Sequence, residues 1–96
     1  MTATILADLE KTPADRLDYD VDYSKWLPEE DVIISAYTTL TQEVNFIADT
    51  VEISEQVVRV WMSGGLDGEV SEIRVFATTL AGRTKEARFS LTIRDD

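Results

Sequence analysis

The C-terminal third of this chain alternates. From Val70 to Thr79, the apolar residues Ile73, Val75 and Ala77 interleave with Glu72, Arg74 and Thr78. From Thr84 to Arg94, Ala87, Phe89, Leu91 and Ile93 interleave with Glu86, Arg88, Ser90 and Thr92. Successive side chains of an extended backbone point to opposite faces, so a period of two reads as a strand with one buried side. Leu80-Ala81-Gly82-Arg83 joins the two runs as a hairpin turn, with Gly82 free to take a positive φ.

The same period appears from Leu17 onward. Tyr19, Val21 and Tyr23 alternate with Asp18, Asp20 and Asp22, which places an apolar set on one face of a strand and three carboxylates on the other. Pro28-Glu29-Glu30-Asp31 breaks this run as a turn. Val32 to Leu40 is rich in β-branched residues and reads as the next strand, with Ile34 and Ala36 expected inward. Further strands are expected at Val44 to Ile47 or Thr50 to Ile53, and at Val57 to Met62. Ser63-Gly64-Gly65-Leu66-Asp67-Gly68 reads as a loop between strands. Six or seven short strands with no long helical pattern point to an all-β, immunoglobulin-like antiparallel β-sandwich.

Ninety-six residues suffice for one domain and are too few for two. The expected organisation is an N-terminal arm over residues 1–16 followed by a single sandwich over residues 17–96. Ile5, Leu6 and Leu9 suit one side of a short helix, but Pro13 would stop it after about two turns, too short to stand alone. An arm that orders against a neighbour competes there with a frayed terminus.

Cysteine and histidine are both absent. That removes disulfides, thiolate nucleophiles, the usual zinc sites and every Ser-His or Cys-His catalytic arrangement. The net charge of -10, from nineteen acids against nine bases, repels phosphate backbones and argues against direct nucleic-acid binding. No apolar run approaches the roughly 18 residues of a membrane span, and Met1-Thr2-Ala3-Thr4-Ile5-Leu6 lacks the basic opening of a secretory signal, so synthesis in a cytoplasm is expected.

Three apparent sites have blander explanations. Asp18, Asp20, Asp22, Ser24, Trp26 and Glu29 match the ligand spacing of a calcium loop, but Tyr23 stands where that loop needs a glycine, and a solvated strand face produces the same spacing. Gly64-Gly65-Leu66-Asp67-Gly68 lacks the Lys-Ser/Thr of a phosphate cradle and reads as a tight turn. Paired carboxylates for hydrolysis need an apolar cleft, which a small sandwich has little room for. Neither a cofactor nor a metal is expected, and an enzyme is not. The residues with most to offer are aromatic: Tyr19, Tyr23, Trp26 and Trp61 either close the core or stay outside as rigid anchors for another subunit. Trp61 is the foremost candidate, because Val58, Val60 and Met62 can supply the inward face and leave it outward.

Two phrases carry a resemblance: Leu17-Asp18-Tyr19 through Ser24-Lys25-Trp26-Leu27, and Val60-Trp61-Met62-Ser63-Gly64-Gly65. With Lys11-Thr12-Pro13 before them and Leu91-Thr92-Ile93-Arg94-Asp95 at the close, the chain resembles the small phage fiber-tail adaptor proteins, whose sequences run Lys-x-Pro-x-x-x-Leu-Asp-Tyr, Ser-x-Trp-Leu, Val-Trp-Leu-Ser-Gly-Gly. Such chains commonly place a Tyr before the next strand, at a tyrosine-corner position, where Ser71 stands here. The resemblance implies a virion structural protein that attaches a tail fiber or tailspike to the tail by protein contact, in several symmetric copies, with other virion proteins as partners and neither nucleic acid nor membrane. A capsid decoration or neck module is the alternative. An acidic inhibitor that mimics DNA is a more distant one, resting on the Asp18, Asp20, Asp22 series alone.

Overall fold

The structure, a computed structural model, describes residues 4–95; Met1, Thr2 and Ala3 of the expected arm and Asp96 of the expected sandwich lie outside the described residues. Period-two patterning yields seven strands and, among the described residues, no helix. They are β1 (Thr4–Lys11), β2 (Leu17–Asp22), β3 (Ile33–Leu40), β4 (Phe46–Ser54), β5 (Val57–Gly64), β6 (Val70–Thr79) and β7 (Thr84–Ile93). Four pair in the order β1-β7-β6-β3 and three in the order β2-β5-β4. Every pairing is antiparallel except that of β1 with β7, which is parallel. The chain is an all-β sandwich of two sheets.

The core lies between the inner faces. Val58, Val60 and Met62 of β5 oppose Ile73, Val75 and Ala77 of β6 and Ala87, Phe89, Leu91 and Ile93 of β7, all essentially without solvent exposure. Fully burying one such aliphatic side chain is worth about 1.5–3 kcal/mol, so these alternating runs supply most of the drive to pack sheet on sheet. Gly65 shows how closely the β5–β6 loop presses on that core. A Cβ there would lie 2.8 Å from Ile93 Cγ1 and 3.2 Å from Phe46 Cβ, and its φ of +106° already disfavours any other residue. At Gly64, φ is +80° and a Cβ would meet the Asn45 carbonyl oxygen at 3.0 Å. The buried ammonium of Lys11 donates to the Gly64 and Thr12 carbonyls and ties β1 to the same loop. Burial holds its pKa below the ordinary lysine value, with Asp15 offsetting part of that.

Several expectations need correction. Thr4–Lys11 of the expected arm is an edge strand, because parallel pairing with β7 gives its backbone the partners that a two-turn helix could not. In β3, Ile33 is buried and Ile34 is 56% exposed, the reverse of the expectation for Ile34. The register shifts between Ile33 and Ser35, and this bulge turns Ile34 outward before Ala36 resumes the inward face. The two short candidates around residues 44–53 are one strand, β4, whose register shifts between Ala48 and Thr50. Strand β5 also runs on to Gly64, into the segment expected as loop. Ser71 is buried, and its Oγ accepts from the backbone N–H groups of Thr41 and Gln42, anchoring the chain as it leaves β3.

Candidate protein-contact surface

The four aromatic candidates separate by strand parity and by the loop after β2. Tyr23 follows β2 on the inward side, is 0% exposed, and sends its hydroxyl across the core to donate to the Val75 carbonyl at 2.8 Å. Burial pushes its phenol pKa up, and the residue offers nothing to a partner. Tyr19, also inward, is half-buried against Phe89 with ring centroids 5.5 Å apart. Burial raises its pKa as well, and its hydroxyl has no hydrogen-bond partner among the described residues. Trp26, in the turn after Tyr23, makes an edge-type ring contact with it at 5.8 Å and has Lys85 Nζ over its ring at 4.8 Å. Tyr23 therefore belongs to the core, while Tyr19 and Trp26 line its margin.

Trp61 is different. Its neighbours Val60 and Met62 are fully buried, so alternation turns the indole outward on β5, the central strand of the three-stranded sheet. In register, Asp18 and Thr50 flank it from β2 and β4. The Arg16 guanidinium lies 4.4 Å from the ring centroid, and Nε1 donates to Glu52 at 2.6 Å. Arg16 is held in turn by Asp49, at 2.6 Å, which also accepts from Ser63 Oγ. These bonds, the Arg16 one foremost, keep the Asp49 carboxyl well below the usual carboxylate range. Arg59 reaches both Asp18 and Asp20, at 3.2 and 2.9 Å, so part of the aspartate series is neutralised. The result is an outer face with one indole held on its central strand and Asp18, Asp20, Asp49 and Glu52 around it.

An open depression on this face is lined by Asp20, Glu52, Ile53, Ser54, Val57 and Arg59, beside the partly buried indole of Trp61 and the Arg16 guanidinium that lies over its ring. The family described as Podophage GP4 fiber-tail adaptor protein gp77 matches residues 11–92. This chain belongs to that family. Membership makes it a fiber-tail adaptor by kind, a structural part of a phage particle, and the match takes in all four aromatic candidates. No curated protein matches the chain. The matched segment begins at Lys11, so most of β1 precedes what the adaptor family defines.

One further aromatic pair lies on the other sheet, outside the sequence expectations. Tyr37 on β3 and Phe76 on β6 face each other in register on the outer side of the four-stranded sheet and stack with centroids 4.8 Å apart. Phe76 was detectable, since it stands between inward Val75 and Ala77. Its partner was not, because the pairing depends on a register set by the bulge at Ile34.

Proposed function

We propose that this adaptor joins a tail fiber or tailspike to the tail body by direct protein contact, with the Trp61 face as one docking surface. The observation that carries this reading is the outward indole on the central strand, already oriented by Arg16 and Glu52, so that little side-chain freedom is lost on binding. Asp18, Asp20 and Glu52 around it favour a partner with a basic rim. Tyr19 and Trp26 contribute at the margin, and several copies repeat the contact around the tail. The protein is made in the host cytoplasm and acts in the virion through protein partners, without nucleic acid or membrane.

The immunoglobulin-like assignment is supported by the strand order. Strands β4-β5-β2 lie against β3-β6-β7, and the first strand runs parallel to the last.

Imaging of the intact particle tests the placement. Density for this sandwich at the junction between fiber and tail is the expected result. Density on the capsid surface or at the neck would replace the adaptor role with that of a decoration or neck module.

A further inference from the structure

The opposite outer face carries a different set of side chains. Tyr37, on edge strand β3, is 58% exposed, lies nearly parallel to Phe76 at an interplanar angle of 14°, and has exposed Ile34 on the same strand. One pair further along, Thr39 opposes Arg74, which in turn opposes Arg88 on β7. The other arginines are ion-paired: Arg16 with Asp49, Arg59 with Asp18 and Asp20, Arg83 with Asp31, Arg88 with Glu72 and Glu86, and Arg94 with Glu10. Arg74 has no ion pair among the described residues; its Nε, like that of Arg88, is buried without a hydrogen-bond partner.

That exception matters because acids outnumber bases nineteen to nine in this chain. An arginine on such a surface should find a carboxylate within the fold. Glu72 and Glu86, on the same two strands, pair with Arg88 at 3.5 and 3.4 Å, and Arg88 itself stands opposite Arg74 as a like charge, an unfavourable cross-strand pair. An unmatched guanidinium beside a half-exposed aromatic stack has the composition of an interface centre, where aromatic residues and arginine are enriched.

We propose that this face is a second docking surface, for a different virion protein that presents a carboxylate to Arg74 and an apolar side chain to the Tyr37–Phe76 stack. The proposal rests on the adaptor reading: a connector needs two contact surfaces, and the outer faces of a sandwich point in opposite directions. A second copy of this chain is the less suited occupant, since two molecules at -10 repel each other.

The test uses particles lacking this protein, supplemented with purified wild type or with Tyr37→Ala, Arg74→Gln, Arg74→Glu or Trp61→Ala. Two junctions are scored separately: retention of the chain on the tail, and attachment of purified fiber or tailspike to the loaded particle. Tyr37→Ala and Arg74→Glu should weaken one junction by about tenfold or more, Arg74→Gln by less, and Trp61→Ala should weaken the other. Urea midpoints for the first three should stay near wild type, which separates lost docking from lost folding. Wild-type behaviour of Tyr37→Ala and Arg74→Glu at both junctions would overturn the proposal, as would loss of the same junction that Trp61→Ala loses. Self-association of the pure protein that Arg74→Glu abolishes would assign the face to a second copy and overturn the stated occupant. If wild type restores neither junction, the adaptor reading itself fails.

Discussion

Tyr23 and Trp61 are both large aromatic residues in alternating segments, and the fold uses them in opposite ways. Tyr23 is enclosed and spends its hydroxyl on a carbonyl of the opposite sheet, so it holds the two layers together. Trp61 stands outside the same sandwich and holds no layers together; its partners Arg16, Glu52 and, through Asp49, Ser63 share its outer face. Side-chain class said nothing about which would be which. Parity relative to β5 and the crossing of the chain after β2 decided it, so the first position contributes to folding and the second is left to the proposed docking surface.

The largest effect expected on folding is at Tyr23. Tyr23→Ala should cost about 3–5 kcal/mol, from lost burial, a cavity and the unpaired Val75 carbonyl, and for a domain of this size that brings unfolding close. Urea denaturation measures it; a loss below about 1 kcal/mol would remove Tyr23 from the core role. Next comes Gly65→Ala, which forces a methyl group against Ile93 and Phe46 in a left-handed backbone. About 1–3 kcal/mol of destabilisation is expected from overpacking, with the positive φ adding to it. An unchanged urea midpoint would mean that the loop does not press on the core as described.

A carboxylate version of the same comparison reads pH. Burial would push the pKa of Asp31 up, but hydrogen bonds from Thr79, Arg83 and the Ala81 backbone, with the Arg83 charge, outweigh it and hold the carboxyl below its ordinary value. A lowered folded pKa contributes stability that is complete above the unfolded value, near about 4, and is lost as pH falls through the folded one. Asp31→Asn should therefore lower the urea midpoint most at neutral pH, and the gap to wild type should begin to narrow as the pH drops below about 4 and close as it falls through the folded-state value. Asp20→Asn, on the exposed face, should change the midpoint little. Equal losses for both, or a gap that widens in acid, would erase the distinction between inner and outer carboxylates.

How much of this was legible follows from where the alternation is unbroken. Strand β6 matched its expected bounds, and β7 fell one residue short of them, because Ile73 to Ala77 and Ala87 to Ile93 alternate without interruption. Strand β3 was oriented wrongly at Ile34 and β4 was seen as two alternatives, since each contains a bulge and one extra residue reverses the faces beyond it. Strand β1 was hidden because Ile5, Leu6 and Leu9 fit a helical spacing, and only β7 as a neighbour makes an extended conformation favourable there. The outward position of Trp61 could be read from Val58, Val60 and Met62. Its bonds to Arg16 and Glu52 could not, because they join residues brought close only by the β2-β5-β4 register. The Tyr37–Phe76 stack was hidden for the same reason.

Trp61→Ala, with urea unfolding and attachment to adaptor-less particles measured on the same preparation, decides whether the Trp61 face serves contact or folding. A stability loss of about 1 kcal/mol or less is expected, from the cation–π contact with Arg16 and the hydrogen bond to Glu52, together with a loss of attachment of about 2 kcal/mol or more. A variant destabilised by about 3–5 kcal/mol that still attaches fully in its folded form would place Trp61 in the fold's energetics and contradict the contact role.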